Sequence, residues 1–174
     1  MTVMMEVRMK NVSLKLSISG LLIALGVVLS TFYIPFGVSK CFPVQHFINV
    51  LGAVLLGPGY AVINAFLISL IRNMLGMGSL LAFPGSMFGA LLAGVFYRLY
   101  SHHRLACLGE FIGTALIGGV VAGFIASRVM GNPVGLFFFV IPFGISTFVG
   151  SIFSLLLFEV TDLLKVTRGW KEKI

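Results

Sequence analysis

The chain has 174 residues, of which 59% are hydrophobic and only 10% are charged. A soluble domain of this length needs more charge to cover its surface, so the composition predicts a multi-pass membrane protein with one domain over residues 1–174. The net charge of +7 lies mainly in the two tails and one loop, which is typical of membrane topology and argues against nucleic-acid binding. The two cysteines predict no disulfide framework.

The apolar runs predict an all-α protein with six transmembrane helices, because a helix needs about 20 apolar residues to cross a hydrocarbon core of roughly 30 Å. Residues 42–76 are too long for one span, and Gly57-Pro58-Gly59 divides them into a hairpin of two short helices. Short, interrupted helices of this kind often form the binding site of a transporter. The predicted spans are 13–33, 44–56, 60–75, 80–100, 106–129 and 136–164.

Positive charge is distributed unevenly between the two predicted sides of the membrane. The side with both tails and the 98–104 loop holds nine Lys and Arg residues, and the positive-inside rule therefore places both termini in the cytoplasm. The outer side holds none of the five acidic residues and only three basic ones, Lys40, Arg72 and Arg128. It also holds five of the six prolines, Pro35, Pro43, Pro84, Pro133 and Pro142. Broken helices are tolerated at membrane depth where they line a cavity, so the outer face is predicted to contain a binding chamber without acids.

The acidic residues of the last two spans are predicted to lie near the cytoplasmic surface. Glu110, Glu159 and Asp162 would pair there with Arg98, Arg104 or Lys165. A proton-coupled carrier needs an acid deeper in the membrane, so transport without an external energy source is not expected. The sequence also shows no Walker loop and no nucleophile–base set, and an enzyme is not expected either.

Polar residues gather at the predicted outer ends of the second, third and fourth spans. Gln45, His46 and Asn49 either contact a ligand or hydrogen-bond to interfacial groups. Arg72 either snorkels to lipid phosphate or binds a ligand. No metal site is expected, because His102 and His103 fall on the other side from His46. The candidate substrate-binding residues are Gln45, His46, Asn49, Arg72, Asn73, Ser79, Phe83 and Ser86.

Two further segments have alternative readings. The run Phe83-Pro84-Gly85-Ser86 starts a helix whose free N–H groups either hold a polar ligand atom or are capped within the loop. The aromatic run Phe137-Phe138-Phe139 either forms the wall of an aromatic slot or faces lipid.

The chain resembles the S components, which are the substrate-binding subunits of energy-coupling factor (ECF) vitamin transporters. The resemblance lies in Gly57-Pro58-Gly59 between short helices, in Arg72-Asn73-Met74-Leu75 ahead of Phe83-Pro84-Gly85, and in the basic tails. Within that group, the run FPVQHFINVLGAVLLGPG at residues 42–59 resembles the ThiW family.

The resemblance implies a high-affinity binding subunit without a cofactor, located in the plasma membrane of a prokaryote. Its ligand would be hydroxyethylthiazole, the thiazole precursor of thiamin, and its partners an ECF T component and two ATPases. In the family an Ala-x-x-x-Ala motif on the first helix docks the T component, and Gly20-x-x-x-Ala24 is the nearest match here.

The residues themselves favour a neutral or anionic heterocycle over cationic thiamin, because the predicted outer face is basic and without acids. A ligand of about nine heavy atoms binds tightly only if it is almost wholly enclosed, and the loop 34–43 is the candidate lid. Three alternatives stay open: the phosphate ester of the thiazole bound by Arg72, an S component for another vitamin or precursor, and a structural membrane protein that transports nothing.

Overall fold

The computed structural model describes residues 12–36 and 39–160. The basic residues before position 12, the last four residues of the predicted sixth span, Asp162 and Lys165 lie outside the described residues. The elements are α1 (Val12–Val28) with a 3-10 turn (Leu29–Thr31), β1 (Ile34–Phe36), β2 (Ser39–Cys41), α2 (Pro43–Leu56), α3 (Pro58–Met74), α4 (Ala82–Tyr100), α5 (His103–Phe111), a π-helical segment (Ile112–Gly118), α6 (Gly119–Arg128) and α7 (Val140–Val160).

The helices have the composition of a multi-pass membrane protein. Within the described residues, four helical runs are long and apolar enough to cross a membrane: Val12–Thr31, Ala82–Tyr100, His103–Arg128 and Val140–Val160. Helix α2 is also apolar but has only 14 residues, which is about 21 Å at 1.5 Å per residue. The structure departs from an all-helical fold in one place, where β1 and β2 form a short antiparallel hairpin within the predicted lid loop.

The chain breaks between α2 and α3 at the predicted place. Pro43 and Pro58 each lie in the first turn of their helix, where a missing N–H group removes no helical hydrogen bond. Gly57 joins the two helices with a φ of 90°, a conformation that residues with a side chain rarely adopt. The break therefore follows directly from the local sequence.

The helical runs alternate in direction along the chain, with α5, the π-helical segment and α6 forming one continuous run from His103 to Arg128. The starts of α1 and α3 lie together, since the Lys15 ammonium is 5.5 Å from the centre of the Tyr60 ring. The start of α5 lies beside the end of α7, where Arg104 Nη2 is 3.3 Å from Glu159 Oε1. We call this the tail end of the bundle. The opposite end, which carries the β-hairpin and the starts of α2, α4 and α7, we call the hairpin end.

Glycines bring the backbones of neighbouring helices together. A side chain at Gly113 would collide with the backbone of Phe88 and Gly89 in α4, and one at Gly150 would collide with the carbonyl group of Pro43. Helix α4 packs extensively on α3, α5 and the π-helical segment, and so lies at the centre of the bundle. Close packing through small residues is the usual way in which helices associate in lipid.

We predict that Gly113→Leu lowers the thermal midpoint of unfolding, because overpacking against backbone typically costs about 1–3 kcal/mol. Cys41 and Cys107 are both free and buried, so a thiol-reactive fluorophore would report unfolding in detergent. The matched control is Gly20→Leu, since nothing lies within 4 Å of a side chain added at Gly20. Equal midpoints for Gly113→Leu and Gly20→Leu would contradict the packing described here.

Candidate ligand-binding site

A cavity of about 580 Å³ opens at the hairpin end, a size typical of small-molecule sites. Its walls come from β2, the first turns of α2 and α4, the segment 76–81, the segment 132–139 and the start of α7. Pro133 lines the cavity, and Pro43, Pro84 and Pro142 lie in the helices α2, α4 and α7 that form its walls. Among the described residues that line the cavity, Lys40 is the basic one and none is acidic.

Four of the eight candidate substrate-binding residues line this cavity: Gln45, His46, Ser79 and Ser86. Gln45, His46 and Ser86 come from the first turns of α2 and α4 and are nearly fully buried. Ser79 belongs to the segment between α3 and α4. Side chains from two separate helices thus converge on one small volume.

The other four candidates lie behind the wall or beside it. Asn49 and Arg72 are buried within the bundle, where they contact lining residues. Asn73 donates hydrogen bonds to the carbonyl oxygens of Ser69 (2.8 Å) and Ser79 (3.1 Å), and so holds the segment after α3 in place. Phe83 packs on Phe66, with 5.6 Å between the ring centres.

One side of the cavity is aromatic. Phe138, Phe139 and Phe143 line it, with ring centres 5.1 Å apart in the first pair and 5.8 Å apart in the second. The three residues of the aromatic run therefore lie in different surroundings. Phe137 is 68% exposed, whereas Phe138 and Phe139 line the cavity. Phe42 closes the wall from the side of the hairpin.

Sequence reasoning missed several lining residues, among them Phe143, Ser146 and Asn132. Ser146 accepts a hydrogen bond from the backbone N–H of Phe42 at 2.8 Å, which ties the start of α2 to α7. In the sequence, Ser146, Gly150 and Ser154 recur at intervals of four residues, a pattern typical of the packing face between two membrane helices. The one feature that could have assigned Ser146 to the site is its position four residues after Pro142, one of the prolines predicted on the outer side.

The guanidinium of Arg72 orients Gln45 from behind. Arg72 is fully buried and donates from Nη1 to Gln45 Oε1, while its guanidinium carbon lies 3.8 Å from the centre of the Phe42 ring. Gln45 Nε2 in turn donates to Ser69 Oγ (3.0 Å), which is hydrogen-bonded to Ser86 Oγ (3.0 Å). The side chain of Arg72 therefore points into the bundle and does not extend to the membrane surface.

The carboxylate of Glu110 occupies the corresponding position behind His46. Glu110 is fully buried, and its Oε1 atom lies 2.8 Å from His46 Nδ1, 3.0 Å from Asn49 Nδ2 and 3.1 Å from Thr114 Oγ1. The other oxygen, Oε2, has no hydrogen-bond partner among the described residues. A carboxylate buried in this way needs several donors to offset the loss of its hydration.

The prediction that Glu110 lies near the cytoplasmic surface and pairs with Arg98, Arg104 or Lys165 is wrong. Helix α5 starts at His103, so Glu110 lies about two turns into it, beside Gly89 of α4, where a side chain would collide with Glu110. The short helix α2 brings His46 to the same depth. Glu110 is therefore an acid buried inside the bundle, rather than one at the end of its helix. Glu159 does pair with Arg104, as predicted.

The outward face of α1 carries the predicted docking residues. Gly20 and Ala24 are exposed, and nothing lies within 4 Å of a side chain added at Gly20. Helix α1 packs mainly against α2 and α3, and it is the least buried of the four candidate spans, with 17% of its most apolar window buried. Its other face is therefore free for lipid or for a partner.

Comparison with known proteins identifies the family. Residues 16–163, which include every residue that lines the cavity, match the family described as "Thiamine-precursor transporter protein (ThiW)". None of the curated proteins matches the chain significantly. ThiW is a family of transporters rather than of enzymes. The chain therefore belongs to the ThiW family of thiamine-precursor transporters, and is a multi-pass membrane protein with a small-molecule substrate.

Proposed function

We propose that this chain is the membrane-embedded S component of an ECF-type, ATP-driven importer and that it binds hydroxyethylthiazole. The observation that carries the proposal is the composition of the cavity. Phenyl rings form one side, uncharged hydrogen-bonding groups form the other, and the described lining residues include no acid. This surface suits a small neutral heterocycle with a polar substituent.

The charge of the lining selects among thiamin-related ligands, whereas the volume does not. A cavity of about 580 Å³ would hold thiamin as well as its smaller thiazole precursor. Thiamin carries a permanent positive charge, which the Lys40 ammonium at the rim would repel and no lining carboxylate would offset. The neutral thiazole ring meets no such penalty, and it can stack on Phe138 or Phe139.

The proposed topology follows from the charges of the sequence together with the direction of the helices. It has six membrane spans over residues 1–174, with the hairpin end outside and both termini in the cytoplasm of a prokaryote. In this orientation the cavity opens to the outside and the β-hairpin lies across its mouth. Helix α2 spans only part of the bilayer, which is tolerated because other helices surround its polar first turn.

Coupling to an energising module would use the exposed face of α1. Small residues at Gly20 and Ala24 allow a second helix to approach closely, which is how transmembrane helices usually pack. The partner proposed is the T component of an ECF transporter, with its two ATPases. The Gly20-x-x-x-Ala24 spacing matches the docking motif that the resemblance implies.

A second candidate function, a proton-coupled carrier, is favoured by one observation. Glu110 and His46 form a buried pair of titratable groups at the cavity, and buried acids of this kind are common in proton-coupled transporters. The two candidates differ in whether the chain alone can move its substrate.

We predict that hydroxyethylthiazole raises the thermal midpoint of the purified wild-type protein by the equivalent of a few kcal/mol at saturating ligand. Thiamin should produce no shift, because the Lys40 ammonium would repel its permanent positive charge and no lining carboxylate would offset it. The readout is again the thiol-reactive fluorophore, with the denatured protein as a control for dye quenching. A larger shift with another vitamin or with the pyrimidine precursor would replace the proposed ligand, and the absence of a shift with hydroxyethylthiazole would contradict the thiazole assignment.

We predict that Gly20→Leu reduces copurification with the T component and reduces thiazole uptake by cells at least tenfold, while leaving ligand affinity unchanged. The added side chain would hold the partner helix away from α1. The conservative control is Gly20→Ala, which should retain most uptake. Thiazole accumulation by liposomes that contain this chain alone, driven by a pH gradient, would contradict the proposal and support the proton-coupled carrier.

We predict that the hairpin closes over the ligand and that Cys41 reports this closure. Cys41 is 1% exposed, its Sγ lies 3.3 Å from the carbonyl oxygen of Pro142, and burial raises the pKa of its thiol, so it reacts only when the hairpin opens. In a Cys107→Ser background, hydroxyethylthiazole should slow maleimide labelling of Cys41 several-fold. An unchanged labelling rate at saturating ligand would rule out the hairpin as a lid.

A further inference from the structure

We infer that Glu110 is a positioning residue that fixes the tautomer of His46, and that His46 in turn recognises the free hydroxyl group of the ligand. The site would then select a heterocyclic alcohol over its phosphate ester and over the analogue without the hydroxyl. This inference rests on the proposed function, and it adds the residues that determine specificity within that site.

The first step is the role of Glu110 as an acceptor. Asn49 Nδ2 donates one hydrogen bond to the carbonyl oxygen of Ser86 (3.1 Å) and one to Glu110 Oε1 (3.0 Å). Because an amide nitrogen can only donate, Glu110 Oε1 accepts at this position. Thr114 Oγ1 lies 3.1 Å from the same oxygen. These contacts hold the carboxylate in one orientation, with Oε1 towards His46.

The second step is the tautomer of His46. Its Nδ1 atom lies 2.8 Å from Glu110 Oε1, so the ring donates its proton there, as a carboxylate commonly directs for a histidine. In the neutral ring the remaining nitrogen, Nε2, is an acceptor. Nε2 makes no hydrogen bond within the described part of the chain, and His46 lines the cavity. The ring therefore offers an unused acceptor to the ligand.

An acceptor at His46 Nε2 distinguishes ligands by whether they present a hydrogen-bond donor. A hydroxyl group can donate to Nε2, whereas a methyl group cannot, and the oxygens of a phosphate dianion would face a lone pair. Arg72 does not provide a phosphate site in compensation, because it lies behind Gln45 and Phe42 and does not line the cavity. Hydroxyethylthiazole has one hydrogen-bond donor, its hydroxyl group.

The two charged residues behind the cavity walls, Arg72 and Glu110, thus act in the same way. Arg72 fixes the amide of Gln45 by donating to its oxygen, and Glu110 fixes the imidazole of His46 by accepting from its nitrogen. Each charge is sealed from the cavity, and each determines whether a lining group donates or accepts. Apart from Lys40 at the rim, the ligand therefore meets oriented neutral groups rather than charges.

The test compares two ligands in wild type and in Glu110→Met by isothermal titration, because methionine removes the acceptor oxygen that a glutamine would keep. The ligands are hydroxyethylthiazole and the analogue in which ethyl replaces hydroxyethyl. Wild type should prefer the alcohol at least tenfold, and Glu110→Met should reduce that preference to less than threefold while the affinity for the ethyl analogue changes little. A role in folding alone would lower both affinities equally, which would overturn the inference.

Three further measurements keep the test decisive. Nitrogen NMR of His46, in a variant that lacks His102 and His103, should show protonated Nδ1 and unprotonated Nε2 in the wild-type site and a changed tautomer in Glu110→Met. If Glu110→Met does not fold, His46→Phe should lose the preference for the alcohol in the same way. The surface control Glu159→Met should retain it.

The outcomes also separate this inference from the proposed function. If wild type binds no thiazole, the proposed function fails. If wild type binds the alcohol and the ethyl analogue equally, or binds the phosphate ester more tightly than the alcohol, the proposed function stands and this inference fails.

Discussion

The burial of the Glu110 carboxylate constrains the rest of the site. An isolated charge at this depth would cost several kcal/mol, so the fold must supply donors from more than one helix. It does so with His46 and Asn49 from α2 and with Thr114 from the π-helical segment, while Asn49 also bonds to the carbonyl group of Ser86 in α4. One carboxylate thus ties α2 and α4 to the run of α5 and the π-helical segment directly behind the cavity.

This requirement explains why α2 is short and begins with proline. Its first two turns carry Gln45, His46 and Asn49, all of which reach partners within the bundle rather than at the surface. A longer helix would lift these turns towards the membrane interface and separate His46 from Glu110. The β-hairpin covers the space that the short helix leaves, and the cavity forms beneath it.

The sequence was sufficient to predict the class of protein, the break at Gly57-Pro58-Gly59 and the end of the bundle that holds the cavity, because each follows from local composition. It was also sufficient to single out Gln45 and His46, which are polar residues in an apolar helix. It could not place Glu110, which is 64 residues from His46 in the chain, because depth in the bundle depends on where helices start and how they pack. Hydropathy treats Glu110 as one charge near the end of a span and contains no information on its partner. Phe143 was missed for a similar reason, since in the sequence it looks like any lipid-facing residue of α7.

The most direct test of this account is a structure of the protein with hydroxyethylthiazole bound. The account predicts the thiazole ring against Phe138 and Phe139, and the ligand hydroxyl within hydrogen-bond distance of His46 Nε2, with Glu110 still bonded to Nδ1. A ligand bound outside the cavity, or one whose hydroxyl points away from His46, would contradict it.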